Sequence, residues 1–309
     1  SQTAENLFWV GRYAERILGN ARFQRTVMQF LTQGNQLLAN DHIQAEQNLL
    51  MALTHHTCTY PGFVGERNAD KLAYPSTELA AILFDTNRPG SLSFNINLFT
   101  RAVHAVRDHW STDTWRVLKT MEDEWQNVAD NTPNSFKMIT MLNHLITSMV
   151  AFIGLNRESI SREQGWIILD AGRKIEQSLL LISMLRATLV NKQEELVEYN
   201  LQEAVLKSNE TLVNYRYKYR VHLQLPLVLD LMLFDENNPR SLMYQITRLK
   251  YYLTHLPKKQ KEHSLSEHER LILEAYTLLK IANKDDLSAL DKHHIGYENL
   301  DNFLSKMYA

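Results

Sequence analysis

Phe84-Asp85-Thr86-Asn87-Arg88-Pro89-Gly90-Ser91-Leu92 returns 150 residues later as Phe234-Asp235-Glu236-Asn237-Asn238-Pro239-Arg240-Ser241-Leu242. Proline is at home where a helix starts, because its missing N–H would be unpaired there anyway. Asp85 and Asp235, just ahead of it, are placed to accept from free N–H groups and to favour the positive helix end. Ser91 and Ser241 add a second local acceptor. One reading of the motif is a capped helix start. The other is an anion or carboxylate site at the same N-terminus, with Arg88 or Arg240 contributing.

Upstream of each copy stands a second related pair. Gly11-Arg12-Tyr13-Ala14-Glu15-Arg16 corresponds to Gly172-Arg173-Lys174-Ile175-Glu176-Gln177, 161 residues on. Two matched pairs in the same order imply duplication of a helical unit, and the spacing is too long for a short-period solenoid. The expected fold is an all-α helical bundle, two duplicated multi-helix units related by a pseudo-twofold. It forms one domain over residues 1–309 with halves of about 1–156 and 157–309.

Composition agrees with long helices. Among 309 residues there are 10 glycines and 7 prolines, well under the usual share of about 7% and 5%. Turn-rich β folds and glycine-loop nucleotide folds consume both. Leu7, Val10, Ala14, Ile17, Leu18 and Ala21 recur at helical steps. Further helices are expected over Gln24–His56, Ser91–His109, Thr112–Asn127, Ser135–Ile153 and Ser161–Asn191. Leu196–Asn214, Arg220–Leu233, Pro239–Leu256, Ser266–Ala282 and Ile295–Tyr308 complete the series. Ser161 with Gln164 reads as a capping box, and Tyr60–Tyr74, Asp130–Asn134 and Pro257–His263 read as linkers.

Charge is nearly balanced, 33 basic against 35 acidic residues, which gives no basic field for nucleic acid. A single cysteine, Cys58, excludes an intrachain disulfide framework. The apolar windows Leu179–Met184 and Leu223–Phe234 fall short of the roughly 20 residues that span a bilayer. With charges at Glu5, Arg12, Glu15 and Arg16 interrupting the start, no membrane role and a cytoplasmic location are expected.

Three clusters carry potential chemistry. On a helical wheel Glu5, Arg12 and Arg16 share a stripe and Glu15 lies beside it, while in the second copy Trp166, Leu169, Leu180 and Met184 form an apolar sleeve around Arg173, with Glu176 its i,i+3 neighbour. Charge in such a sleeve must be paired. These residues therefore form either a buried ion-pair network orienting the repeat helices or a pocket for a polar substrate or a partner's chain terminus. Tyr215 and Arg216 belong to a run, 214–220, that alternates aromatics with cations and suits either backbone binding or a helix junction. His55 and His56 point about 100° apart on a helix and do not share a metal. No phosphate loop, nucleophile elbow, His-Glu-x-x-His or Glu-x-x-His motif occurs, so no metal site is expected.

The opening Ala4-Glu5-Asn6-Leu7-Phe8-Trp9-Val10-Gly11-Arg12-Tyr13-Ala14-Glu15-Arg16 resembles the signature of the bacterial alpha-E family, all-helical proteins named for a glutamate. The likeness continues through 84–92, Ala105-Val106-Arg107-Asp108, Gly165-Trp166, Gly172-Arg173, Glu176 and 235–241. The resemblance implies a setting beside a circularly permuted ATP-grasp amide ligase. A transglutaminase-like peptidase often accompanies it, and sometimes a proteasome-like one. ATP and magnesium would then belong to the ligase and no cofactor to this chain. The implied role is an accessory or substrate-presenting subunit of a peptide-forming or peptide-tagging system. The alternatives are an enzyme using Glu5, Glu15 or Glu176 for acid–base work with Arg12, Arg16 and Arg173 holding a carboxylate, or a scaffold that forms homo-oligomers.

Overall fold

Nothing in the first 33 residues breaks a helix: there is no proline, and Gly11 and Gly19 are isolated among strong formers. In the computed structural model, which describes residues 1–33, 40–129, 134–257 and 264–309, they form one 32-residue helix, α1 (Gln2–Gln33). The break expected near Arg22 does not exist, because no residue there interrupts the hydrogen-bond ladder. The chain divides into two compact units, residues 1–173 and 174–309, described separately below.

In the first unit α1 is the central element. It packs against α2 (Asn40–Thr57), α5 (Leu92–Ala105) and α7 (Ser135–Ser159). Between α2 and α5 lie α3 (Ala69–Ala73) and α4 (Ser76–Phe84), neither of which the hydrophobic pattern revealed. Helix α6 (Thr112–Ala129) packs on α7, and the unit closes with the first ten residues of α8 (Gln164–Leu189). Val10, Ile17, Phe23, Leu49, Leu53, Phe99 and Phe152 are essentially inaccessible, each worth about 1.5–3 kcal/mol on burial.

Helix α7 is 25 residues and apolar enough to cross a membrane by length and composition, which the sequence windows had missed. Met138, Met141, Leu142, Leu145, Met149 and Phe152 are buried, and its packing on α1 and α6 accounts for that composition. The stretch 60–74 is not a plain linker. Phe63 is fully buried and its N–H donates to Thr54 Oγ1 at 3.0 Å, so the loop folds back on α2. Of the other two linkers, residues 130–133 and 258–263 lie outside the described residues.

The second unit is again built of helices. The rest of α8 leads to α9 (Glu195–Ser208), α10 (Leu212–Tyr219), α11 (Leu225–Leu229), a π-helical turn at Asp230–Phe234, and α12 (Leu242–His255). Then follow α13 (Glu267–Ile281), α14 (Lys284–Leu287) and α15 (Glu298–Tyr308). The single helix expected over 196–214 is two, because Glu210 takes a left-handed conformation, φ 56°, and ends α9. Residues 220–224 are likewise not helical: Arg220 is left-handed, and Pro226 restarts the chain as α11. Helix α8 begins at Gln164, so Ser161 lies too far upstream to cap it. A capping box does form at α13, where Ser266 and Glu269 bond reciprocally.

Matched elements end alike. Helix α2 stops at left-handed Cys58 with Thr59 N–H returning to the Thr54 carbonyl at 3.2 Å. Helix α9 stops at left-handed Glu210 with Thr211 N–H returning to Leu206 at 2.9 Å. Both are closures of the Schellman type built on a non-glycine residue.

Candidate functional site

The duplicated corner motif closes the same way in each unit. Ser91 Oγ donates to the Asp85 carbonyl at 2.5 Å and accepts from Phe94 N–H at 3.1 Å. Ser241 Oγ donates to the Asp235 carbonyl at 2.6 Å and accepts from Tyr244 N–H at 3.1 Å. The serines, fully buried, are therefore the N-caps of α5 and α12. The aspartates do a different job from the one expected. Each Oδ1 accepts from the N–H two residues on, Asn87 or Asn237, in an Asx turn. The helices start three residues after Pro89 and Pro239, so the prolines shape the corner rather than the first helical turn.

The fifth residue of the motif ties the corner back to its own unit. Arg88 Nη2 donates to the Thr59 carbonyl at 2.7 Å and to Glu78 Oε1 at 2.5 Å. Its counterpart Asn238 donates to the Leu231 carbonyl at 2.9 Å. Gly90 has φ 92°, and a Cβ there would lie 2.3 Å from the Thr57 carbonyl oxygen. Arg240 occupies that position in the second copy, half-buried, with its N–H donating to Asn238 Oδ1.

The other repeated motif builds a helix crossing. A Cβ on Gly11 of α1 would lie 2.0 Å from the Leu169 carbonyl oxygen, and one on Gly172 of α8 would lie 2.2 Å from the Phe8 carbonyl oxygen. The two contacts exchange under the 161-residue offset, 8 with 169 and 11 with 172. One turn beyond Gly11, Glu15 lies on the same buried face. Arg173, next to Gly172, donates to Glu15 Oε1 through Nε at 3.0 Å and Nη2 at 2.8 Å, and to Asp170 Oδ1 through Nη1 at 2.9 Å. Exposure is 1% for Glu15, 4% for Asp170 and 8% for Arg173.

The remaining members of the first cluster differ in exposure. Arg12 lies over the rings of Phe8 and Trp9 at 5.7 and 5.3 Å, and Arg16 over Tyr13 at 5.5 Å. Glu5 is exposed. Glu176, 3% exposed, belongs to the second unit. Asp170 was missed by sequence reasoning, although its Asp-x-x-Arg spacing to Arg173 was there to be read.

In the aromatic–cation run the residues part company. Tyr215 is fully buried, its hydroxyl donating to the His222 carbonyl at 2.9 Å and accepting from Gln224 N–H at 3.2 Å. Burial pushes its pKa up against that second bond. Arg216 is exposed. Lys218 bridges Asp230 at 3.3 Å and Asp235 at 3.0 Å, and Tyr219 donates to Asp230. Burial and then the Asp230 hydrogen bond raise the Tyr219 pKa. Burial opposes the charge on Asp230, but Tyr219 and Lys218 outweigh it and hold its carboxyl below the usual range. This π-turn cluster, which Lys284 joins at 3.8 Å, is a second feature unseen in the sequence.

His55 and His56 do diverge. His55 Nδ1 meets Tyr60 Oη at 2.7 Å on the surface, while His56 is buried edge-on to Phe23. Among the described residues, neither His56 ring nitrogen has a hydrogen-bond partner.

The sequence profile of the Alpha-E family, described as a predicted alpha-helical domain with a conserved ER motif, matches residues 1–309. Glu-Arg pairs stand at 15–16, 66–67 and 269–270, and only the first has a buried glutamate. An uncharacterized protein of Mycobacterium bovis is 31% identical over 290 residues, covering 91% of this chain and 32% of the relative. Uncharacterized proteins of two Mycobacterium tuberculosis strains match to the same extent. The chain thus spans about a third of the length of these relatives. No solved structure matches. With the profile running its full length, the chain belongs to the alpha-E family.

Proposed function

We propose that this chain is the helical accessory or substrate-presenting subunit of a cytoplasmic ATP-grasp amide-ligase system and performs no chemistry of its own. The carrying observation is the fate of the family's charged signature. Glu15 and Arg173 bond to each other inside a helix crossing, and Asp170 bonds the same guanidinium. A carboxylate so held orients helices; it does not meet a substrate. The corner motifs follow the same pattern, with Ser91, Ser241 and Arg88 all engaged by their own unit. What the fold offers a partner is surface, including the exposed Arg216 and the exposed pair Arg107 and Asp108.

In this reading the ligase binds ATP and magnesium, a transglutaminase-like peptidase belongs to the same system, and the two units descend from one duplicated ancestor. The test is a tagged pull-down from the native cell, with and without ATP, read by mass spectrometry. Recovery of an ATP-grasp ligase supports the reading. A chain that comes down alone in both conditions overturns it and revives the acid–base alternative on Glu5, Glu15 or Glu176.

A further inference from the structure

Between α6 and α7 the first unit opens a cavity of about 300 Å³. Its walls are apolar: Met121, Trp125, Met141 and Leu145 are each at least nine-tenths buried and line it. Trp125 is a fixed wall, because its Nε1–H donates to Ser93 Oγ at 2.8 Å and its ring leans on Phe84. The mouth is different. Glu124 is half-exposed there, and His144 Nδ1 lies 3.7 Å from its Oε2. Among the described residues Glu124 has no lysine or arginine as ion-pair partner. An apolar chamber with one carboxylate at its lip selects for charge at one end of a ligand and hydrocarbon at the other.

We propose that this cavity binds a small apolar primary amine of about ten heavy atoms. The hydrocarbon body fills the space between the two methionines and the indole, where thioether and aromatic surfaces adapt to it. The ammonium donates to Glu124, with the His144 ring nitrogen as a second contact and the Trp125 π-system nearby. A carboxylate ligand of the same shape is repelled at the lip. The site is independent of the accessory role: Phe84 of the first corner backs the indole, but no residue of the crossing or the corners lines the cavity.

The test is a titration of the full chain, labelled with ¹³C-methyl methionine, followed by NMR. The probes are 2-phenylethylamine, 2-phenylethanol and 3-phenylpropanoate, alike in shape and different in charge. The methyl signals of Met121 and Met141 shift saturably with the amine, which binds about tenfold more tightly than the alcohol, as one partly exposed charge-assisted hydrogen bond allows. Glu124→Gln brings amine and alcohol within about twofold of each other, the charge contribution having gone. Ser148→Trp, at the rim, blocks all three probes. The proposal is overturned if neither methionine signal saturates, if alcohol or acid matches the amine, or if the amine preference survives Glu124→Gln. Glu124 is on the surface, so that variant folds and decides the matter even where Ser148→Trp does not.

Discussion

Gly11→Ala puts one methyl group into the α1–α8 crossing, and its effect is a contest between two terms. In favour, alanine in a helix interior is better than glycine by about 0.8–1 kcal/mol. Against, the new Cβ stands 2.0 Å from the Leu169 carbonyl oxygen and 3.0 Å from the Arg173 nitrogen, both backbone atoms that no rotamer change can move. The helices must part until that contact is ordinary. Overpacking of this kind costs about 1–3 kcal/mol. Parting also stretches the 2.8 and 3.0 Å bonds from Arg173 to Glu15 one turn away, and weakening a charge-assisted bond costs about 1.5–3 kcal/mol more. The net expectation is destabilisation by about 2–4 kcal/mol. Urea unfolding followed by far-UV circular dichroism measures it. Gly154→Ala on α7 is the internal control, because nothing lies within 4 Å of its new methyl; it should be neutral or stabilising by up to about 1 kcal/mol. Gly172→Ala should resemble Gly11→Ala. The double variant should fall short of the sum by about 1 kcal/mol or more, since helices already parted have room for the second methyl. If Gly11→Ala is as stable as the parent, propensity has won and the crossing is not the close approach described here.

Three further outcomes are expected. Glu15→Ala takes two charge-assisted bonds from the buried Arg173 guanidinium and should cost about 3–5 kcal/mol in the same urea assay, while Glu5→Ala, on the surface, should stay within about 0.5 kcal/mol. Ser91→Ala and Ser241→Ala each remove a helix cap and should cost about 1–2 kcal/mol; equal losses at both sites would match their equal geometry, and no loss at either would sink the capping assignment. His56 is held neutral by burial, its pKa lowered from 6.5 to about 3. The unfolded chain therefore binds a proton below pH 6.5 that the folded chain refuses, so stability falls as pH drops from 6.5 toward 3. Between pH 6.5 and pH 5 the loss should be about 1.7 kcal/mol. His56→Phe should flatten that slope, and a slope unchanged in the variant would assign it to other groups.

The fold class was legible because its evidence is periodic and local. The stripe from Leu7 to Ala21, the scarcity of glycine and proline, and the doubled corner all point to helices from the residue list alone. Boundaries failed where the deciding conformation belongs to a residue with no tendency toward it. Glu210 and Arg220 adopt left-handed backbones that glycine would have announced. For the charged cluster, the wheel set Glu15 beside the Arg12 stripe and left Arg173 among apolar residues of another helix. It could not show that Gly11 and Gly172 let two backbones touch there, since that depends on a partner helix 161 residues away. Asp170 was readable from its spacing to Arg173. The Tyr219–Asp230 contact was not, because it needs a helix that has stopped obeying the 3.6-residue period.

That π-turn sets the two corners apart. From the start of α4 to Asp85 the chain takes nine steps; from the start of α11 to Asp235 it takes ten. The surplus residue is absorbed inside the helix, where Asp235 N–H reaches back five residues to Asp230 at 3.0 Å, while Asp85 N–H reaches back four to Ala81 at 3.1 Å. The corner beyond is then closed by the same bonds in both units. A length difference that aligners would assign to a loop is thus stored in a helix, and excising one residue between 230 and 234 should return that helix to the ordinary ladder with the Ser241 cap intact. It would also swing Asp230 away from Lys218, Tyr219 and Lys284, so the wide turn is what holds that aspartate within reach of two lysines and a phenol at once.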